Sequence, residues 1–545
     1  MTDPIYRTYA DIRAALLAKE EIALIDVREE DPHAQSHPLF SANIPFAKLE
    51  LEAYTRLPRL SVPIVVFDGG EGHASLAAQR LTQLGYTNVT ELAGGLKAWH
   101  EAGGELFRDV NSASKAFGEL VESKRHTPSL SAEEVQQRLR DKSDVVVLDA
   151  RRFDEYQTMN IPGSVSVPGA ELALRARALA PDPKTLVIVN CAGRTRSIIG
   201  TQSLVNAGIP NPVAALRNGT IGWTLAGQTL EKGSQRRFQM TDGLSETTIA
   251  QSREAARSVA DRARVKRLTP QELEGWNVDP QGIAHPDHYH QGHQAALRTT
   301  YRFDVRTPEE YLSGHPLGFL NAPGGQLVQE TEMFAPVRGA RIVLFDTDGV
   351  RANMTASWLA QMNNEVYVLD QADLTVTGPH QHEKPIPPAA RTITPQALAA
   401  ALKDPAGAPL VIDVTSSANY VKAHIPGAWW ILRSRLAEDL RSLPDASSYV
   451  VTCGSDALAR YVAPEVAALT GKPTTWLTGG NAGWLAAGLP SASGEEALAS
   501  LRIDRYRRPY EGTDASTEAM NAYLEWEYGL VEQLGRDGTH GFFVI

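Results

Sequence analysis

The side chains best suited to nucleophilic chemistry are the two thiols of the chain, Cys191 and Cys453. Cys191 follows the apolar run LVIVN and opens the loop CAGRTRS, which leads into a helical pattern. At such a strand-to-helix turn, backbone N–H groups, the helix dipole and the guanidinium groups of Arg194 and Arg196 all favour the thiolate over the thiol. We therefore predict that Cys191 is a nucleophile. The competing interpretation is an inert thiol in the core.

A repeated pattern of apolar strands must position this loop. Four short strands end in an aspartate, at Asp26, Asp149, Asp304 and Asp413. A second strand follows each of them and ends at Asp68, Cys191, Asp346 and Cys453, which lie 42, 42, 42 and 40 residues after those aspartates. A Gly-rich turn then leads to a tryptophan in the first, second and fourth repeats, at Trp99, Trp223 and Trp484. The near-equal intervals indicate four copies of one structural unit.

The repeats predict the fold class. Near-continuous Val, Ile and Leu runs alternate with helical patterns, which is typical of an α/β fold with a parallel sheet flanked by helices. We predict four tandem domains of this kind, at residues 1–108, 127–235, 265–380 and 391–492. Residues 236–264 are predicted to form a linker helix, and residues 493–545 a C-terminal helical tail. One tail helix places six residues on one side, which we expect to dock onto a domain: Met520, Tyr523, Leu524, Tyr528, Val531 and Leu534.

The length of the chain indicates how many domains it has, and its charge indicates which molecules it can bind. A chain of 545 residues is long enough for three or four domains. Its formal charge of -11 repels nucleic acid and anionic membranes, so we expect neither partner, and an anionic substrate must meet local positive charge.

No stretch approaches the ~18 to 20 apolar residues of a membrane span, and the start lacks the pattern of a signal peptide. Two cysteines are too few for a disulfide framework, and we expect a cytoplasmic protein.

The motifs of the second repeat carry a family resemblance. The string DARRFDEYQTMNIPGSV, followed by CAGRTRS and the turn to Trp223, resembles the rhodanese (thiosulfate sulfurtransferase) domain. That family reads DVRxxxEYxxGHIPGA and then has a six-residue loop opening with cysteine. The third repeat keeps DVRTPEEYLSGH and the fourth keeps YVKAHIPGA. The chain is therefore identified as a tandem four-domain member of the family, with the resemblance extending over nearly all of residues 1–492.

The resemblance implies a sulfurtransferase. The Cys191 thiolate would take the outer sulfur of thiosulfate or a related donor, release sulfite, and pass the sulfur from a persulfide to cyanide or a thiol acceptor. No metal and no organic cofactor is expected. The predicted cradle for the substrate and the persulfide is Ala192, Gly193, Arg194, Thr195, Arg196 and Ser197. We expect Arg194 and Arg196 to hold the sulfonate, whereas Asp149 and Arg151 would support the neighbouring loops rather than react.

The other repeats depart from the pattern at the nucleophile. The first and third carry Asp68 and Asp346 there, and a carboxylate cannot carry sulfane sulfur, so both units are predicted to be non-catalytic. The fourth keeps Cys453, but its loop CGSDAL contains Asp456 and no arginine before Arg460. Cys453 is therefore a second candidate site, with an inert core thiol as the preferred interpretation.

Two rival functions stay open. A cysteine-dependent phosphatase needs five residues between its cysteine and its arginine, whereas only four separate Cys191 from Arg196. The loop is thus one residue too short to wrap a phosphoryl group. The second rival is a persulfide carrier or scaffold, in which Cys191 delivers sulfur to a protein partner. The degenerate units favour this rival, which predicts stable persulfidation and slow turnover with cyanide.

Two polar segments give only weak evidence of a function. The stretch HPDHYHQGH contains His285, His288, His290 and His293, but no cysteine or second cluster accompanies it, so a solvated loop is preferred to a metal site. The basic stretch from Arg253 to Arg267 is interpreted as the exposed face of the linker helix.

Overall fold

A computed structural model describes residues 5–238, 244–276, 298–381, 384–404 and 407–545. The four histidines of residues 285–293 lie outside these ranges. Within the described residues, no helix combines the length and the apolar composition that crossing a membrane would require.

Twenty-one strands form four sheets in the described residues. The first unit contains β1 (Tyr6–Arg7), β2 (Ile22–Asp26), β3 (Ala42–Asn43), β4 (Ile64–Phe67) and β5 (Val89–Leu92). The second contains β6 (Ser129–Leu130), β7 (Val145–Asp149), β8 (Val165–Ser166), β9 (Leu186–Asn190) and β10 (Val213–Leu216). The third contains β11 (Lys266–Leu268), β12 (Thr300–Asp304), β13 (Leu320–Asn321), β14 (Val337–Arg338), β15 (Arg341–Phe345) and β16 (Glu365–Leu369). The fourth contains β17 (Arg391–Ile393), β18 (Leu410–Asp413), β19 (Trp429–Trp430), β20 (Tyr449–Thr452) and β21 (Thr474–Leu477).

Helices flank each sheet and connect the units. The first unit has α1 (Tyr9–Ala18), α2 (Glu30–Gln35), α3 (Leu49–Arg56), α4 (His73–Gln83) and α5 (Gly95–Glu101), and the connector α6 (Ser112–Arg125) follows. The second has α7 (Ala132–Arg140), α8 (Phe153–Thr158), α9 (Leu172–Leu179), α10 (Thr195–Asn206) and α11 (Gly219–Leu225), followed by the linker α12 (Glu246–Arg262). The third has α13 (Pro270–Gly275), α14 (Pro308–Ser313), α15 (Gly324–Gln329), α16 (Thr331–Phe334) and α17 (Arg351–Gln361). The fourth has α18 (Pro395–Ala401), α19 (Ser417–Lys422), α20 (Leu436–Asp439), α21 (Ala459–Thr470) and α22 (Gly480–Ala486), and the tail has α23 (Thr517–Tyr528) and α24 (Leu530–Asp537).

The four sheets share one topology, which confirms the predicted α/β class. In the second unit the strand order is β6-β10-β9-β7-β8, with all neighbours parallel, and the other units repeat this order. The first sheet differs by one strand, because β14 of the third unit joins it antiparallel to β2. The predicted parallel sheets are thus confirmed, except that the first sheet also contains one antiparallel strand, β14, from the third unit.

Local sequence explains where helices begin in each repeat. The helix after the first strand starts at a capped serine or threonine in every unit, at Thr8, Ser131, Thr269 and Thr394. In the first three units an acidic residue three positions later completes a capping box. Such caps satisfy backbone N–H groups that the helix itself leaves unpaired.

The linker and the tail pack onto the domains. In α12, Ala256 and Val259 lie in a core shared with Leu174 of the second unit and Met354 of the third. The tail is not the single continuous helix that was predicted. It consists of two helices, α23 and α24, which are separated at Gly529. The break leaves Tyr528 53% exposed, although the predicted stripe had placed it on the docking side.

Candidate active site

Cys191 lies where the sequence predicted, in the turn between β9 and α10. Parallel strands expose their carboxyl ends at one edge of the sheet, and ligands of α/β folds bind there. The thiol is only 1% exposed, and both the amide and the hydroxyl of Ser197 lie within hydrogen-bonding reach of its sulfur. The loop backbone is also tied down, because the Thr220 amide donates to the Cys191 carbonyl at 3.0 Å. The sulfur is therefore held at the start of a helix by fixed donors.

Burial changes the expected ionisation of this thiol. It raises the pKa of Cys191 above its ordinary value, while Arg196 and Ser197 act in the opposite direction. The sequence-based expectation of a thiolate counted only the favourable charges and dipoles, and it is corrected here because desolvation penalises the charged form more strongly. Burial therefore opposes deprotonation of the Cys191 thiol, and Arg196 and Ser197 assist it.

The two loop arginines have different roles. Arg194 turns away from the loop: its Nε and Nη2 donate to Glu119 at 2.7 and 2.8 Å, it also pairs with Glu122, and it stacks 4.3 Å from the Tyr528 ring centroid. The carboxylates of Glu119 and Glu122 neutralise the positive charge of Arg194, so the structure does not support the prediction that Arg194 holds the sulfonate. Arg196 lies close enough to Cys191 to lower the pKa of its thiol. Of the two loop arginines, Arg196 is therefore the one whose charge favours ionisation of the Cys191 thiol.

Glu155 is a site residue that the sequence reasoning missed. Its two oxygens accept hydrogen bonds from Nη1 and Nη2 of Arg196 at 2.7 and 2.9 Å. Although burial opposes it, the Arg196 guanidinium holds the pKa of Glu155 at about 2. A bidentate pair of this kind fixes the plane of the guanidinium. The signal was available, because the third unit repeats the acid as Glu310 at the same distance after its strand aspartate.

Asp149 and Arg151 form a buried support under the loop. Arg151 donates from Nε and Nη2 to the two carboxylate oxygens of Asp149 at 2.9 and 2.8 Å, and also to the Met159 carbonyl at 2.5 Å. Asn190 donates to the same carboxylate at 2.7 Å. Because Asn190 immediately precedes Cys191, the cluster ties the ends of β7 and β9 together. This geometry fits the supporting role that was predicted.

The C-terminal tail covers the catalytic loop. Ala192 packs in one apolar cluster with Tyr510, Tyr523 and other tail residues. At Gly193, an added Cβ would lie 3.2 Å from the Tyr523 ring, so the ring sits directly on the backbone of the loop. The sequence predicted which side of the tail helix docks, but not that it docks on the loop of the second unit. An apolar stripe on a helix indicates that the side is buried and does not indicate which domain buries it.

A buried lysine anchors this cover. Lys115 of α6 donates to Asp109 at 2.7 Å, and its ammonium lies 5.3 to 5.5 Å from the ring centroids of Tyr510, Tyr523 and Trp526. A cation–π contact of a desolvated lysine contributes about 2 kcal/mol or more. The tail is therefore fixed to the connector between the first two units, beside the loop.

All four loops share one hydrogen bond. In each loop the amide six residues after the nucleophile position points back to the residue in that position. In the first and third units this residue is an aspartate, and the bonds from Ala74 to Asp68 and from Ala352 to Asp346 measure 2.9 and 2.7 Å. The carboxylates thus occupy the donors that a sulfur would use, which agrees with the prediction that these units are non-catalytic.

Cys453 has the same amide cradle in a different setting. The amides of Leu458 and Ala459 lie within reach of its sulfur, but the thiol itself donates to the Ser455 carbonyl at 3.0 Å. Burial raises the pKa of the Cys453 thiol, and no arginine is among the groups that lower it. The neighbouring Gly454 and Ser455 are exposed, whereas Ala192 and Gly193 at the equivalent positions of the second unit are buried.

Metal chemistry finds no support in the described ranges, which contain no group of three or more His, Cys, Asp or Glu side chains placed to hold an ion. Both cysteines are unpaired.

Comparison with known proteins decides the family. The family model of the rhodanese-like domain matches four segments, residues 10–102, 131–226, 289–372 and 394–487. The chain belongs to the rhodanese family. Each of its four rhodanese units contains one of the nucleophile positions described above.

A solved structure matches all four rhodanese units together. It is a thiosulfate sulfurtransferase from Pseudomonas aeruginosa with 61% sequence identity and a TM-score of 0.94, and the alignment covers 99% of this chain and 100% of that chain. Similarity to curated proteins is local. An HTH-type transcriptional regulator of Mycobacterium tuberculosis is 30% identical over 97 residues, covering 18% of this chain and 42% of the relative. A putative sulfur carrier protein of Bacillus subtilis is 28% identical over 123 residues, covering 22% and 64%. The chain thus spans less than two thirds of either curated relative.

Proposed function

We propose that this protein is a thiosulfate sulfurtransferase that moves sulfane sulfur through a Cys191 persulfide to cyanide or a thiol acceptor. The observation that carries the proposal is a buried Cys191 in the turn before α10, where the Ser197 amide and the Arg196 guanidinium both act to lower the pKa of its thiol. The name of the Pseudomonas protein, similar over the whole chain, adds support.

The first half-reaction uses the positive end of the loop. The sulfonate of thiosulfate is positioned against Arg196, whose orientation Glu155 fixes. The Cys191 sulfur attacks the outer sulfur while the bond to the sulfonate sulfur breaks. The electron pair of that bond and the thiol proton leave together as hydrogen sulfite. The negative charge that remains on the persulfide is met by the Ser197 amide and by Arg196.

The second half-reaction returns the enzyme to its resting state. Hydrogen cyanide gives its proton to the Cys191 sulfur as cyanide attacks the outer sulfur of the persulfide, the bond to the Cys191 sulfur breaks, and thiocyanate leaves. A thiol acceptor reacts in the same way and leaves as a persulfide. Neither half needs a metal or an organic cofactor, since the only carrier is the cysteine itself.

The rivals are weaker on geometry. A phosphatase loop must wrap three phosphoryl oxygens, whereas here Arg194 is withdrawn to Glu119 and only Arg196 faces the cysteine. A carrier that hands sulfur to a protein partner needs an accessible persulfide, but Cys191 is only 1% exposed and tail residues pack on its neighbour Ala192. We place the enzyme in the cytoplasm, where a thiol nucleophile stays reduced, and assign it neither nucleic acid nor membrane as a partner.

The test compares the two cysteines. Wild type, Cys191→Ala and Cys453→Ala are incubated with thiosulfate, and the intact mass is measured before cyanide is added and thiocyanate is determined. We expect the gain of one sulfur atom and the thiocyanate signal to be lost in Cys191→Ala and kept in Cys453→Ala. The reverse pattern would move the site to the fourth unit, and persulfide without thiocyanate would favour the carrier.

A further inference from the structure

A cavity of about 280 Å³ lies at the junction of the first and third units. Residues at or just before the amino ends of β12, β15 and β16 line it, together with residues at the end of α1. Asp346, by contrast, follows the carboxyl end of β15. The cavity therefore lies at the edge of the third sheet opposite to the nucleophile position, and no residue of the loop from Cys191 to Ser197 lines it.

The wall of this cavity is strongly basic. Among the described residues one carboxylate, that of Glu365, lines it together with five cationic side chains: Lys19, Arg264, Lys266, Arg298 and Arg338. We call it the basic cavity. Lys19 belongs to the first unit and the other four cations lie in or next to the third, so the cavity brings together charges from two units.

Glu365 cannot neutralise this wall by itself. Its two oxygens pair with Lys266 at 2.7 Å and with Arg298 at 2.6 Å, so two cations share one carboxylate. Arg298 also donates to the Gly339 carbonyl, which has no formal charge. Burial lowers the pKa of the neighbouring Arg341, and the positive charge of Arg298 lowers it further. An excess of positive charge thus remains around Glu365.

Arg338 has neutral hydrogen-bonding partners in the described part of the chain. Its Nη1 donates to Oδ1 of Asn364 at 2.9 Å, and its guanidinium lies 4.0 Å from the Phe40 ring centroid. Burial lowers the pKa of Arg338 to about 10, and the negative charge of Glu332 opposes this shift only in part. Dipoles and an aromatic ring therefore stabilise this charge, but no carboxylate compensates it among the described residues.

Lys19 and Arg264 leave their charges available to a ligand. Both are exposed, and neither forms an ion pair within the described residues. Both also have a positive φ, 58° for Lys19 and 63° for Arg264, in a region that favours glycine. Asn363, another lining residue, has a φ of 64°. Of the eight non-glycine residues with positive φ in the described ranges, three therefore line this one cavity.

Two helix ends explain part of this charge. Helices α1 and α17 both end at the cavity, and the carbonyl groups at a helix C-terminus attract cations. One cation at each end would satisfy that attraction, whereas five line the cavity. Side chains kept in backbone conformations that disfavour them indicate a functional constraint, and here two of these side chains are cations.

We propose that the basic cavity binds a small dianion of the phosphate type, either inorganic phosphate or the phosphate monoester of a short carbon chain. Guanidinium groups bind phosphate oxygens in a bidentate manner, and lysine adds a point charge. The volume lies near the lower end of the roughly 300 to 1,000 Å³ of small-molecule sites, which fits a small ligand. A dianion is favoured over a monoanion because more than one cation of the wall lacks a carboxylate partner. The site is independent of the Cys191 chemistry.

The test measures binding to the full chain by isothermal titration calorimetry at pH 8 and constant ionic strength. Phosphate groups, whose second pKa is about 6, are dianions at this pH. The probes are inorganic phosphate, glycerol 3-phosphate and the monoanion acetate. We expect saturable binding of a phosphate probe with a Kd at least about 10-fold below that of acetate. An equal or lower Kd for inorganic phosphate identifies the free oxyanion as the ligand, and a lower Kd for glycerol 3-phosphate identifies a monoester.

Two variants at the cavity sharpen the test. In Lys19→Gln/Arg264→Gln the Kd for the phosphate probe should rise about 10-fold, because two charge-assisted contacts are lost. Both residues are exposed, so this variant should fold. In Glu365→Gln the Kd should fall about 5-fold, since the carboxylate that repels the ligand is removed.

The matched control is Lys97→Gln/Arg502→Gln, which removes two exposed cations that do not line the cavity and should leave the Kd unchanged. The proposal is overturned if neither phosphate probe binds with a Kd below about 10 mM, or if the control raises the Kd as much as Lys19→Gln/Arg264→Gln does. It is also overturned if binding is lost in Arg196→Gln but kept in Lys19→Gln/Arg264→Gln, because the ligand would then occupy the catalytic loop.

Discussion

The second and third units build the same loop and fill it differently. Each unit has an arginine five residues after the nucleophile position, Arg196 or Arg351. A glutamate on the helix that follows the first aspartate of the repeat, in α8 or α14, accepts hydrogen bonds from this arginine. Cys191 leaves the loop amide of the second unit available to sulfur, whereas in the third unit Asp346 accepts amides from Gly349 and Ala352 at 2.8 and 2.7 Å. The scaffold is thus conserved within the chain, while the reacting atom is not.

The arginines of the two units show a second difference. Arg351 is surrounded by three carboxylates, those of Glu310, Asp348 and Glu171, the last of which belongs to the second unit. Arg196 pairs with Glu155 as its one carboxylate partner in the described ranges. A guanidinium compensated three times has no remaining attraction for an anionic substrate. The third unit therefore uses its arginine to join two domains, and the second unit uses its own to face a nucleophile.

The largest effect is expected when the second loop is given the residue of the third. Cys191→Asp should lower thiocyanate formation from thiosulfate at least about 10³-fold, because removal of a nucleophile leaves only residual catalysis. The variant should still fold, since aspartate accepts the equivalent amide in two sister units. Circular dichroism and thermal unfolding provide the control. Activity within 10-fold of wild type would contradict the assignment of the nucleophile.

A smaller effect should separate the two arginines of the catalytic loop. Arg196→Gln is expected to lower kcat/KM for thiosulfate by about 10²-fold, the value of one charge-assisted hydrogen bond of ~2 to 3 kcal/mol. Arg194→Gln should change it by less than about 10-fold, but it should lower the melting temperature because Glu119 would lose its buried partner. Equal losses of kcat/KM in both variants would show that Arg194 also binds the donor.

The smallest effect concerns the pH dependence of the third unit. Burial and the neighbouring Asp348 raise the pKa of Asp346 to about 7, above its ordinary value of 3.8. A raised carboxyl pKa contributes stability that is present below pH 3.8 and is lost as the pH rises through 7. Asp346→Asn removes this dependence, so its melting temperature relative to wild type should be higher at pH 8 than at pH 5 by about 2 to 4 °C per kcal/mol. Asp68→Asn serves as the comparison variant at the equivalent position. A difference independent of pH would contradict the raised pKa of Asp346.

Much of this protein could be predicted from the order of its residues. Apolar runs of strand length alternating with helical patterns determined an α/β fold, and their recurrence determined four units. The cysteine at a strand end predicted the nucleophile, and the family resemblance suggested that Asp149 and Arg151 pair with the backbone or with each other. These features are local, because each depends on residues within one repeat.

The tertiary structure decided what depends on distant segments. Burial of Cys191 reverses the expected direction of its pKa shift, and Glu119 on a connector binds the Arg194 side chain away from the loop. One cavity is lined by side chains more than three hundred residues apart in sequence, from Arg151 to Arg508. Desolvation and charge pairing are properties of the space around an atom, and only the packed chain defines that space.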